Sequence, residues 1–267
     1  MLRNVFSKTI YERRRSLMWW ALGVAAMIFI TIVFYPTIRD NDDMLKLLQG
    51  MPKEMLALAG ITDPAAIMAP AGYLQGRLFS MLLPLLLLVF AIGIGTRAIA
   101  GEEEARTMDM LLSHPVRRSQ VVLQSFEALL ALLAGLGLVI VLTLFVGALS
   151  VDMEVGLDKL VAGTLSSVLL ALFFGTLALA LGAATGKRGL SLGVASAVAI
   201  AGYLINSLAE SVDWLKPAQK LSPFYYATSG NPLDNGVNVG HTLVFIVFTA
   251  LLVAIAVFTF ERRDVAV

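Results

Sequence analysis

Apolar residues in this chain gather in runs of about twenty, not in the three-and-four spacing of an amphipathic helix or the alternation of a half-buried strand. Six such runs can be read, at 16–35, 78–98, 127–149, 160–185, 190–208 and 241–260. Twenty residues at about 1.5 Å each match the roughly 30 Å hydrocarbon layer of a bilayer. Backbone N–H and C=O groups have no water to bond to in lipid, so the runs are predicted to be helices. They are too long and too evenly apolar for barrel strands of about ten alternating residues. The expected fold is all-α: a polytopic membrane protein with six transmembrane helices, and residues 1–267 as one transmembrane domain. Arg13, Arg14 and Arg15 precede the first run in the manner of a secretory signal, but no small-residue cleavage site follows Tyr35 and Pro36. The run is read as a retained anchor.

The stretches between the runs differ in kind. Residues 36–77 carry acids and helical spacing at Met44, Leu47, Leu48, Met51 and Met55, which predicts one or two short helices in an outer loop. Residues 209–240 are rich in Pro, Gly, Asn and Ser, and are read as an irregular outer loop packed over the spans. Residues 99–124 form a charged loop between the second and third runs.

Composition sharpens the class. The chain is 58% hydrophobic and 15% charged, where a soluble domain carries about a quarter charged residues. Net charge of +1 says little, but its distribution sets an orientation. Thirteen of the twenty basic residues fall on one side of a six-span topology: Arg3, Lys8 and Arg13 to Arg15, then Arg97, Arg106, Arg117 and Arg118, then Lys187 and Arg188, then Arg262 and Arg263. That side is expected to be cytoplasmic, with both termini on it.

Several chemistries are missing. The chain has no cysteine, so disulfides and thiolate catalysis are excluded. The centres of the runs hold no ionisable residue, which argues against a proton- or sodium-coupled transporter. His114 and His241 belong to no H-E-x-x-H spacing, and Gly182 to Lys187 is one residue short of a phosphate loop. No enzyme activity, metal or cofactor is therefore expected in this chain, and nothing calls for nucleic acid. Energy for any transport has to come from elsewhere.

The segment Gly101–Gln120 stands apart. Glu102, Glu103 and Glu104 suit the start of a helix, where carboxylates face the positive end of the dipole. Met108, Leu111 and Leu112 have helical spacing, and Pro115 ends or bends the helix before Arg117 and Arg118. A short amphipathic helix under the membrane is one reading; a solvated loop obeying the charge rule is the other.

The order Glu102, Thr107, Leu111-Leu112, Pro115, Arg117-Arg118 resembles the cytoplasmic loop of six-helix ABC exporter permeases of the drug, antibiotic and polysaccharide-export type. The basic entry Phe6–Arg15, the Ser222-Pro223-Phe224 element and the closing Phe260-Glu261-Arg262-Arg263-Asp264 extend that resemblance along the chain. Arg106 departs from it, standing where such loops often carry glycine, as does Gln124, where lysine is common. The resemblance implies a coupling helix seated on a separate ATP-binding-cassette ATPase, with ATP and magnesium bound there. It also implies a second permease copy or a related permease, export as the direction, and a bacterial inner (plasma) membrane. Residues 1–15 become an elbow helix on the inner surface, whose Arg13, Arg14 and Arg15 meet anionic membrane lipid or the ATPase, or serve topology alone.

Spans two and five line the path in such permeases, so Met81, Pro84 and Phe90 are path residues in this reading, and Pro84 is a kink. A path of this chemistry suits a hydrophobic or amphipathic substrate. Asn206 is an interhelical hydrogen-bond partner or a substrate ligand. Gly189, Gly193, Ala197 and Ala201 put a small residue at every fourth position of span five, for packing within the chain or against a second subunit. A membrane scaffold or sensor, binding a cytoplasmic partner without transport, is the alternative function.

Overall fold

The computed structural model describes residues 4–39, 41, 50, 68–106, 117–209 and 212–263. Met44, Leu47, Leu48, Met51, Met55, Thr107, Met108, Leu111, Leu112 and Pro115 lie outside the described residues. Among the described residues twelve α-helices follow in order: α1 (Val5–Val33), α2 (Tyr35–Arg39), α3 (Pro70–Leu74), α4 (Leu82–Thr96), α5 (Glu102–Glu104), α6 (Arg118–Ser150), α7 (Leu157–Thr185), α8 (Arg188–Leu208), α9 (Lys216–Gln219), α10 (Pro223–Thr228), α11 (Pro232–Asn235) and α12 (Val239–Arg262). Six helical stretches among the described residues are long and apolar enough to cross a membrane: Val5–Arg39, Pro70–Glu104, Arg118–Ser150, Leu157–Thr185, Arg188–Leu208 and Val239–Arg262, here spans one to six. The chain is a multi-pass, all-α membrane protein.

Several boundaries differ from those expected. Phe6–Arg15 is no separate elbow helix but the first part of α1. The Asn4 side chain caps α1 by accepting the Ser7 N–H at 2.8 Å, and no proline or glycine interrupts the chain before Gly23. Nothing there makes the backbone turn. Spans one and two, at 35 residues each, are about 50 Å long and overhang a 30 Å hydrocarbon layer. The inner loop contracts accordingly, because residues 99–104 and 118–124 are helical. Residues 70–77, expected in the outer loop, already belong to span two. Residues 209–240 contain α9, α10 and α11 and a 3₁₀ turn at Asp213–Leu215, where an irregular loop was expected. Prolines in the first turns of these helices pre-set φ without forfeiting a needed donor.

Span two is interrupted twice. Pro84 has no N–H for the Ser80 carbonyl, and the ladder breaks at Ser80–Met81, where Met81 has φ −144° and ψ −52°. Upstream the turn widens to a π-helix over Gln75–Phe79, closed by the Ser80 N–H on the Gln75 carbonyl at 2.8 Å. A second π-turn, Arg97–Gly101, precedes Glu102.

Span four is the hub, packing against spans two, three, five and six, while span one lies along span three. Spans two and four approach most closely where Gly95 faces Gly175. A Cβ on Gly95 would overlap the Gly175 carbonyl, and one on Gly175 would stand 3.0 Å from the Ala91 Cβ and the Leu129 Cδ2. Around this crossing Leu87, Ala91, Leu129, Leu132 and Ala171 are fully buried. Thr164, Ser167 and Thr176 return their hydroxyls to carbonyls one turn back, so each buried hydroxyl is satisfied inside span four. Met18, Phe29, Leu138, Leu142, Val247 and Phe258 remain exposed on the perimeter, as lipid-facing side chains are. Gly95→Ala is expected to lower stability by about 1–3 kcal/mol through overpacking. Gly93→Ala, where a Cβ meets nothing within 4 Å, should be neutral or slightly stabilising. Thermal unfolding of the two variants in detergent separates these outcomes.

Candidate functional site

The charged ends of all six spans converge on the glutamates that close span two. Each of the three takes a different partner. Glu102 Oε2 lies 2.8 Å from the Lys8 Nζ of span one. Glu103 pairs with Arg263 at the end of span six. Glu104 Oε1 accepts the Arg188 N–H, the first amide of span five, at 2.9 Å. The last contact satisfies one of the donors that a helix start leaves open, and places negative charge at the positive end of the dipole.

Spans three and four complete the node. Arg118 Nη1 donates to the Arg263 carbonyl at 2.6 Å, and Gln124 Oε1 accepts the Val5 N–H at 2.8 Å. Span four ends at Gly186 with φ +66°, directly beside the Glu103–Arg263 pair. A side chain there would both strain the backbone and displace Glu103 and Arg263.

Both departures from the permease pattern now have physical content. Gln124 supplies an acceptor to the Val5 amide, which a lysine has no lone pair to provide. Arg106 sits at φ 55°, the left-handed region that glycine enters freely and an arginine does not.

Of the residues expected to couple to a partner, Glu102 and Glu103 are thus engaged inside the chain. Arg118 braces span six, and Arg117 starts span three, its N–H donating to Gln120 Oε1 at 3.1 Å. Arg14 lies 4.0 Å over the Tyr11 ring and donates to its hydroxyl at 3.2 Å, Arg15 is exposed, and Arg13 borders a small polar cleft with Lys8, Glu12, Arg97 and Glu102. Sequence reasoning missed the partners Lys8, Arg188 and Arg263; the available signal was opposite charge at the ends of spans that a six-span topology puts on one side.

A groove of about 430 Å³ opens between spans two and five. Met81, Leu85, Leu88, Val89 and Ile92 form one wall, and Leu192, Ser196, Ala199, Ile200 and Tyr203 the other. Phe224 reaches its rim, 5.5 Å between ring centroids from Tyr203 and 5.9 Å from Phe174. Ser222 fixes that position: its Oγ donates to the Gly202 carbonyl at 2.7 Å and accepts the Phe224 N–H at 3.1 Å. The Ser-Pro-Phe element therefore ties α10 across span five.

Of the expected path residues, only Met81 lines this groove. Pro84 and Phe90 are buried on other faces of span two, Phe90 with its ring 5.6 Å from that of Trp20. Asn206 is buried outside the groove, donating to Thr228 Oγ1 at 3.4 Å and accepting from Gln219. Gly189, Gly193, Ala197 and Ala201 do not pack within the chain; all four are exposed, and a Cβ on either glycine would meet nothing within 4 Å. The small residues of span five that do pack are Ser191, Ala195, Ala199 and Gly202, on its other face.

The Glu103–Arg263 pair is more enclosed than Lys8–Glu102, with side chains 11% and 19% exposed against 31% and 22%. Removing one partner of an enclosed pair strands the other charge, so Glu103→Ala should cost about 1–3 kcal/mol, less than the figure for a fully buried pair. Lys8→Ala should cost less than about 1 kcal/mol. Detergent melting curves that rank the two in the opposite order would contradict this node.

A family model described as ABC-2 family transporter protein matches residues 3–265, nearly the whole chain. No curated protein matches it.

Proposed function

The chain belongs to the ABC-2 family of transporter proteins and is a membrane permease subunit of an ABC transporter, and we propose that it forms half of a dimeric exporter driven by a separate ATPase. The observation that carries this reading is the anchoring of the end of span two, where three glutamates are bound to spans one, five and six. A push delivered there reaches four spans at once. The density of basic residues at this end supports a cytoplasmic placement, with both termini inside. ATP and magnesium belong to the partner subunit, in the inner membrane of a bacterium.

The groove supports a hydrophobic or amphipathic substrate, since among the described residues Ser196 and Tyr203 alone bring side-chain hydroxyls to its walls. The exposed small-residue face of span five supports the second permease copy, because small side chains let helix backbones approach closely where no hydrophobic force separates protein from lipid.

Thr107→Ala/Leu111→Ala/Leu112→Ala should abolish co-purification of the cognate ATPase while leaving the chain inserted and folded. If no ATPase follows the unmodified chain either, the protein is a scaffold or sensor and the transport reading fails. A groove-filling Ser196→Trp should leave the ATPase bound but reduce substrate-stimulated hydrolysis by roughly tenfold or more, as expected when a site no longer admits its ligand. Unchanged stimulation would put the path elsewhere.

A further inference from the structure

Arginines from three spans gather beside the glutamate node without carboxylates of their own. Spans one and two run antiparallel there, with Lys8 opposite Glu102. Five residues further into each helix stand Arg13 and Arg97, about 7.5 Å closer to the hydrocarbon at 1.5 Å per residue. Both border the same cleft, floored by Val5, Ile94 and Ala98. Arg188 joins them from span five: its Cδ and the Arg97 Cβ and Cγ flank Gly101 from within 4 Å of where a Cβ would stand.

The nearby carboxylates are already engaged. Glu102 holds Lys8, Glu12 lies 4.0 Å from the same Lys8, and Glu104 accepts the Arg188 backbone N–H. Among the described residues none forms an ion pair with the side chain of Arg13, Arg97 or Arg188. Like charges held near one another repel unless an anion is shared between them. The depth selects the anion. Trp19 and Trp20 lie one to two turns further in, where indoles favour the membrane interface, so the arginines stand at the level of the lipid phosphates.

We propose that Arg13, Arg97 and Arg188 form a binding site for the phosphate of an anionic phospholipid headgroup in the leaflet at the glutamate end. Guanidinium forks suit phosphate oxygens, and a basic pocket between transmembrane helices is where such headgroups bind. An occupied site bridges spans one, two and five beside the anchor of the loop, so lipid charge becomes a condition for a rigid node. This inference needs the chain to span a membrane but not the ATPase. The two ideas are therefore tested separately.

The test is native mass spectrometry of the chain alone, purified in detergent and offered phosphatidylglycerol or phosphatidylcholine. One tightly retained phosphatidylglycerol is expected per chain, with phosphatidylcholine removed at lower collision energy. Arg13→Gln/Arg97→Gln/Arg188→Gln should weaken retention on the order of a hundredfold, and each single change roughly fivefold. Arg14→Gln/Arg15→Gln removes two charges from the same helix outside the cleft and should leave retention unchanged. Should the triple variant not fold, the single variants against that control decide the matter. Equal losses in the cleft variants and the Arg14/Arg15 control would overturn the site, since general charge attraction would then explain the binding. Displacement of the lipid by millimolar glycerol phosphate or inorganic phosphate would overturn the lipid assignment in favour of a free phosphate.

Discussion

Six helices in a bilayer gain little from hiding apolar surface, because lipid tails are as apolar as leucine. What fixes one helix against another must therefore be close backbone contact or polar bonding. In this protein the polar bonding is concentrated in three consecutive carboxylates. Glu102, Glu103 and Glu104 form the last turn of span two, after its second π-turn, and take a lysine, an arginine and a helix amide from three other spans. At the other extreme, the Gly95–Gly175 crossing lets span two press against the hub helix.

The node changes what the charged loop means. A loop with glutamates at its root can be taken as a surface offered to a partner, yet Glu102 and Glu103 face inward and are spoken for. They hold the end of span two to spans one and six. Beyond α5 the backbone turns at Arg106, whose φ of 55° lies in the left-handed region.

Span five is held differently from its neighbours. Its packed face carries Ser191, Ala195, Ala199 and Gly202, while Gly189, Gly193, Ala197 and Ala201 stay open and the groove occupies the space between it and span two. Its polar ties at the far end run through Asn206 and through the Ser222 hydroxyl on the Gly202 carbonyl. A helix fastened at both ends and loosely packed between them is suited to moving against span two.

Hydropathy alone determined the all-α class, the six spans and the charge asymmetry, because a bilayer demands about twenty apolar residues per crossing and leaves helix as the means of pairing the backbone. The same pattern misplaced the ends of spans one to three, since a helix continues past the hydrocarbon wherever no proline or glycine stops it, and hydropathy does not see that continuation. The groove and the opposite faces of span five are tertiary facts: a small residue at every fourth position marks a smooth stripe but not which side of the helix the protein covers. That Phe90 is buried against Trp20, away from the groove, is tertiary for the same reason, an apolar run having no inside or outside until its neighbours are placed. The partners of the glutamates, 84 to 160 residues away in the chain, were decided only by folding, which brought the ends of six helices to one place.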